Sequence, residues 1–360
     1  MTNFLVSNYS LLSSPRNAVS KIQQELTIMQ KQATTGRLAD VGLTLGLRTS
    51  QSISLRSETE SVARQLDTNA IISQRFSIMQ NAMDSLAATG DSLLSSLIAN
   101  GSGDPGTTAN IDQARASLQQ FVGALNSSSG ARFLFSGTAT DQPSISFPTA
   151  GGGTADTYFE GSQAQTATAD AFTAVFGFSQ DDAAVADISE SDLEAFLDGA
   201  FDDLFSTAPG GGWKDNWSNS GDGTTVNRIS DSESIKTSYS SDEEAFRNIA
   251  KAYVMLSDLG NANMNESARQ LLTSRAIETL SKGLNQLTEL RAEIGGSQSR
   301  LDIADETLAA RKNVLTISIS DLEEVDQYEA STRVTGLQTL LETSYALTAR
   351  ISRLSLLNYL

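Results

Sequence analysis

Between Leu280 and Leu322 an apolar branched residue falls at every seventh position: Leu280, Leu287, Ile294, Leu301, Leu308, Leu315 and Leu322. A repeat of seven is the mark of a helix packed along its length against another helix. At about 1.5 Å per residue this stretch alone predicts a rod of about 60 Å, too long to fold back on itself. The neighbouring heptad position holds Leu284, Arg291, Gln298, Asp305 and Lys312, so one of the two knob positions reads as mostly polar. Polar residues inside such a seam fix alignment at some cost in stability, which makes Arg291, Gln298 and Lys312 candidates for setting register. Ile303, Ala310, Val314 and Ile317 place apolar atoms on a second face, and a helix apolar on two sides expects neighbours on two sides.

Similar spacing recurs toward the N-terminus. Val19, Ile22, Leu26, Met29 and Ala33 follow a 3-4-3-4 pattern downstream of Pro15, and a loop is expected from Thr35 to Leu47, around Gly36, Gly42 and Gly46. A longer helix carries Val62, Leu66, Asn69, Phe76, Met79, Met83, Leu86, Leu93 and Leu97, stops at the Gly-rich run 101–106, and returns through Ile111, Ala114, Leu118, Phe121 and Leu125. At Ser127 to Gly130 the character changes to Gly, Thr, Ser and Pro, with short strands expected at 131–138, Thr157 to Phe159 and Phe172 to Phe178, and one helix through Leu193, Phe196, Leu197, Phe201 and Leu204. Ser241 with Glu244 fits a capping box before a helix bearing Phe246, Ile249, Tyr253 and Leu256. A last helix carries Leu337, Leu340, Leu341, Leu347, Ile351 and Leu354 and runs toward Leu357. The fold expected is mainly α with a β-rich insert: an elongated antiparallel bundle built from both ends of the chain, plus a projecting central α+β domain. Its parts are terminal core helices at 1–45 and 323–360, a helical rod at 46–135 and 242–322, and an outer domain at 136–241. Leu26, Met29, Leu340, Leu347, Ile351, Leu354 and Leu357 are the candidate assembly interface, because a leucine-rich tail left bare on a monomer calls for a partner.

Composition narrows the chemistry. The 360 residues contain no Cys and no His, which removes thiolate and imidazole catalysis and zinc fingers, so no enzyme, cofactor or metal role is expected. The loop from Asp215 to Gly223 spaces its acids somewhat as a calcium loop does but lacks the central glycine and the closing glutamate, so a surface turn is expected. Asp321, Glu323, Glu324 and Asp326 read as a solvated acidic face or an intersubunit salt bridge. Of the net charge of −18, the stretch 141–244 supplies −17, with 20 acids against Lys214, Arg228 and Lys236. Such a block argues against nucleic acid or an anionic membrane as partner and for a solvated outward module. No secretory leader and no membrane-spanning run is read from the sequence.

Three stretches carry a resemblance. Met29-Gln30-Lys31-Gln32-Ala33-Thr34-Thr35-Gly36-Arg37, Arg132-Phe133-Leu134-Phe135-Ser136-Gly137, and Leu290-Arg291-Ala292-Glu293-Ile294-Gly295-Gly296-Ser297-Gln298-Ser299-Arg300-Leu301 resemble, in order, signatures of the flagellin superfamily. The usual Ser-Pro-Asp-Asp-Pro after the first signature is replaced by Asp40-Val41-Gly42-Leu43. The ending Ile351-Ser352-Arg353-Leu354-Ser355-Leu356-Leu357-Asn358-Tyr359-Leu360 is similar to hook-associated members of the FlgL type. The resemblance implies a structural protein of the bacterial flagellum, a junction adaptor between hook and filament, with a filament-forming flagellin as the alternative. It further implies export without a cleaved leader through the flagellar type III channel to an extracellular location. The partners it implies are copies of itself, a FlgK-type junction protein, flagellin and a FlgN-type export chaperone.

Overall fold

The computed structural model describes the backbone of residues 8–100 and 104–357 and the side chains of residues 16–99 and 106–350. In chain order the helices are α1 (Asn8–Thr35), α2 (Val41–Leu45), α3 (Thr49–Asn100), α4 (Asp104–Leu125), α5 (Gln163–Phe176), α6 (Glu190–Asp198), α7 (Ala200–Asp203), α8 (Gly212–Asn216), α9 (Glu244–Asp258), α10 (Glu266–Glu323) and α11 (Gln327–Leu357). Three antiparallel strand pairs lie between α4 and α9: β1 (Ser128–Ser129) with β2 (Arg132–Phe133), β3 (Phe147–Pro148) with β4 (Thr154–Ala155), and β5 (Val226–Arg228) with β6 (Ser234–Lys236). The chain divides into two compact units, residues 1–64 with 308–360 and residues 65–307. Among the described residues no helix is long and apolar enough to cross a membrane.

The heptad stretch is one helix, as its spacing predicts. Leu280, Leu287, Ile294 and Leu301 of α10 are fully buried in the 65–307 unit, against an α3 seam of Ile72, Phe76, Met79, Met83, Leu86, Leu93 and Leu97. The second seam is not the polar one expected. Gly283, Leu290, Ser297 and Ala304, three residues after each heptad leucine or isoleucine, are the buried set, while Leu284, Arg291, Gln298 and Asp305 sit at the half-buried edge. Small residues there let neighbouring backbones approach: a methyl at Gly283 would lie 2.9 Å from Ile249 Cγ1 and 3.1 Å from its backbone nitrogen, on α9. Gly90 on α3 likewise makes room for Leu284, whose Cδ2 would lie 2.7 Å from any Cβ there. Gly295 and Gly296 interrupt nothing and lie inside α10.

Between α4 and α9 the chain has strands, as expected of a mainly α fold with a central α+β part, but two of the strands read from the sequence are not there. Thr157 to Phe159 form a turn, and Phe172 lies inside α5, which ends at Phe176 before the left-handed Gly177. The Ser162 hydroxyl accepts from Gln165 N and starts α5, so a local cap selects helix over strand. The helix expected through Leu193 to Leu204 is broken at Gly199 into α6 and α7. The aromatic core of this part is joined by side chains outside those helices: Trp213 of α8 stacks on Trp217 just after it at 5.3 Å between centroids, and Trp217 on Tyr158 of the turn before α5 at 5.2 Å. The capping box at Ser241 does not form. The Ser241 hydroxyl is engaged with those of Ser218 and Ser220, and the cap of α9 falls at Glu243 without a side-chain bond.

Candidate assembly surface

In the unit made of the two ends, α1 and α11 run antiparallel. Gln23 Nε2 donates to the Tyr345 hydroxyl at 2.8 Å. At the other end of the pair, Leu38 N donates to Glu323 O at 2.8 Å and Val325 N to Gly36 O at 2.9 Å. Gly36 supplies the left-handed φ of +69° that ends α1, and the Gln327 side chain packs where a Cβ would point. The facing seams are Val19, Ile22, Leu26, Met29 and Ala33 on α1 and Ala330, Val334, Leu337, Leu341, Ser344 and Thr348 on α11; of these only Ala330 is fully buried. A two-helix seam that remains half open to water leaves much of its apolar surface unspent.

The other side of α11 is bare. Leu340 and Leu347, seven residues apart and so on one face, are 51% and 58% exposed. Val314 and Ile317 on the outer face of α10 are more than half exposed, as is Tyr328. Leu43 and Leu47, on α2 and the 3-10 turn Gly46–Arg48, project further, Leu47 being 99% exposed. Of the residues expected at an assembly interface, Leu340 and Leu347 therefore face solvent in the single chain, while Leu26 and Met29 are half-buried on the inner face of α1. Ile351, Leu354 and Leu357 continue α11, but their side chains lie outside the described residues. Leu43, Leu47 and Tyr328 were not singled out in the sequence; for Leu43 and Leu47, apolar residues inside a glycine-bounded loop were the available signal.

One charged group holds this unit at the end of α10. Glu323, expected on a solvated face, is only 1% exposed. It accepts from Ser52 Oγ at 2.5 Å and Arg56 Nε at 3.0 Å, with Arg56 Nη2 on its second oxygen. The Arg56 bond, helped by Ser52, outweighs burial and holds the carboxyl below the usual glutamate range. Its neighbours Thr35, Gly36, Arg37, Ser320 and Glu324 to Tyr328 line an open cleft of about 710 Å³.

In the 65–307 unit, polar contacts do link α3 and α10, though not at all the residues read as register-setting. Arg291 pairs with Asp84, and its carbonyl accepts from Gln80 Nε2 at 2.9 Å. Gln298 and Lys312 make no side-chain hydrogen bond or ion pair among the described residues. The buried polar contact is Asn69, which donates to Asp305 Oδ1 at 2.6 Å and to Ile229 O at 2.9 Å. Asn69 stood on the α3 seam as its one polar member, which was signal enough to find it.

No curated protein sequence matches the chain. Among solved structures it shares a fold with a Vibrio parahaemolyticus protein assigned as flagellar hook-associated, at 11% identity and a TM-score of 0.51, over 77% of this chain and 97% of that one. Residues 6–140 match the bacterial flagellin N-terminal helical region and residues 277–360 the bacterial flagellin C-terminal helical region. With both ends of the sequence matched, over more than half its length, by the paired helical regions of one family, the chain belongs to the flagellin superfamily.

Proposed function

We propose that this protein is the junction adaptor between flagellar hook and filament, a structural part that works by coupled ordering and assembly. The observation that carries the assembly half of this reading is the second face of α11: α1 takes one side, and Leu340 and Leu347 on the other stay more than half exposed among the described residues. A neighbouring copy, or a related subunit, completes that face. The adaptor half is supported by the ending at Ile351 to Leu360 and by the fold shared with a hook-associated protein. The adaptor would be exported to the flagellum, escorted by a FlgN-type chaperone, and seated between a FlgK-type protein and the first flagellin subunits. Its polar register contacts, Arg291 with Asp84 and Asn69 with Asp305, would hold α3 and α10 in one alignment under load.

A filament-forming flagellin is the second reading, favoured by the matched regions being those of flagellin itself. Purified protein added to sheared filament fragments separates the two. An adaptor adds a short cap whose length does not grow with protein concentration, seen by electron microscopy. Continuous extension of the fragments would establish the flagellin reading instead.

A further inference from the structure

In the 65–307 unit the end of α9 meets the turn 157–161 and the start of α5 through a row of oxygens. The Tyr158 hydroxyl lies 2.9 Å from Asp258 Oδ2 and 2.9 Å from Thr168 Oγ1, and Thr168 Oγ1 lies 2.9 Å from the Ala164 carbonyl oxygen. Tyr158 and Thr168 are both buried, so water does not supply a missing proton there. Each hydroxyl carries one proton, and a carbonyl carries none. Two hydroxyl protons therefore serve three close oxygen pairs, and while Asp258 is ionised one pair is left lone pair against lone pair. A proton on Asp258 completes the count: the carboxyl donates to Tyr158, Tyr158 donates to Thr168, and Thr168 donates to Ala164 O.

We propose that Asp258, Tyr158 and Thr168 form a proton-operated latch: the protonated carboxyl completes the row and holds the turn and α5 to the end of α9, and the ionised carboxylate releases them. The groups that face Asp258 fit that use. Tyr158, from the turn, keeps its own proton, since burial pushes its ionisation well up. Gln165 Nε2 of α5 donates to Asp258 Oδ1 only at a long 3.5 Å, and the two charges nearby, Arg115 on α4 and Asp181 in the loop after α5, act in opposite senses. Burial therefore decides, and it pushes the carboxyl up to about 6. Asp258 also lines an open cleft of about 460 Å³, which gives the proton its route to solvent. An acid raised in the folded state contributes fully below its ordinary 3.8 and loses that contribution as the pH climbs through about 6, so the latch is closed in mild acid and open above it.

The test follows tryptophan fluorescence of the full-length protein from pH 4 to pH 8, because Trp217 stacks on Tyr158. A step centred near pH 6 is expected, and it is absent from Asp258→Asn. Thr168→Val keeps the buried shape and removes the acceptor of the Tyr158 proton, which separates the latch from plain burial. In that variant a protonated Asp258 leaves the Tyr158 proton unmet and an ionised one takes it, so the step moves down by about one pH unit, the worth of one hydrogen bond. Hydrogen exchange at the amides of the first two turns of α5, corrected for intrinsic rates, is about tenfold faster at pH 7.5 than at pH 5, as a shift from 3.8 to about 6 requires, and alike at the two pH values in Asp258→Asn. The proposal is overturned by a step that persists in Asp258→Asn, by a Thr168→Val midpoint that is unchanged or higher, or by α5 protection that does not vary with pH.

Discussion

Replacing Asp258 by Asn should make the 65–307 unit more stable at neutral pH, and the gain should vanish in acid. Asp258 is the last residue of α9, at the helix end where a negative charge is disfavoured. Burial pushes its carboxyl up to about 6 from 3.8, and Asp181 pushes in the same direction, against the bonds from Tyr158 and Gln165 and the charge of Arg115. The shift is about two pKa units at about 1.4 kcal/mol each, so ionising this group costs the folded state about 3 kcal/mol. An acid whose folded value is raised contributes stability that is complete below 3.8 and lost as the pH climbs through about 6. At pH 7.5 the asparagine variant escapes that cost but gives up one acceptor for Gln165, worth about 1 kcal/mol, leaving a net gain of about 2 kcal/mol. The only two tryptophans, Trp213 and Trp217, are buried in this unit, so urea unfolding followed by fluorescence reports on it selectively. Measured at pH 4 and at pH 7.5, the difference in unfolding free energy between variant and parent should go from about zero or slightly negative to clearly positive. A difference that is the same at both pH values would refute the reasoning.

Four further outcomes are expected. Arg56→Ala strips the buried Glu323 of its main partner and should destabilise the 1–64/308–360 unit by about 1–3 kcal/mol, read as a lower helix melting temperature. Because Glu323 is held below its usual value, its contribution is present above about pH 4.5 and lost as the pH falls, and the variant should show a shallower loss of helix in acid than its parent. Leu340→Asp with Leu347→Asp should leave the monomer's circular dichroism unchanged and abolish addition to filament fragments; retained addition would show that this face is not used. Gly283→Ala forces a methyl to within 2.9 Å of Ile249 Cγ1 and 3.2 Å of Ala245 O, so it should destabilise the 65–307 unit in urea despite a helix-propensity gain of about 1 kcal/mol.

The long helices were legible because the heptad leucines of α10 bury nothing unless α10 is helical throughout, and the structure buries Leu280 to Leu301 completely. Its second buried row was not legible. Gly283, Ser297 and Ala304 carry too little apolar surface to stand out in a hydropathy pattern, and what buries them is the close approach of neighbouring helices. The central stretch misled for the opposite reason: α5 is rich in Ala, Thr and Gln, with a phenylalanine cluster at its end that alternates like a strand. Only its cap at Ser162 distinguishes it. Ser241 shows the converse, since a sequence-perfect cap was outcompeted by two buried hydroxyls, a tertiary effect with no local signature. At the candidate assembly surface, Leu340 and Leu347 could be read from spacing, but which side of α11 would be covered within the chain could not. Leu26 and Met29 proved to be on the covered side.

That sorting bears on how assembly is coupled to order. Helix formation carries a nucleation cost, and most of a protein helix's stability comes from packing its apolar face rather than from intrinsic propensity. In the 65–307 unit α3 and α10 are enclosed by α4, α9 and the aromatic core, so their seams are closed within the chain. The α1 and α11 seam closes only half way, with Ala330 its one fully buried apolar residue among those described. The free energy that α11 lacks must come from its outer face, and Leu340 and Leu347 can supply it only when another subunit removes them from water. At about 25 cal/mol per Å², each leucine covered adds about 1.5–3 kcal/mol, comparable to what a marginal helix needs. On the assembly reading proposed above, binding a neighbour and completing the helix pair would be one event: the apolar face offered to the next subunit would also decide whether the terminal helices are stable.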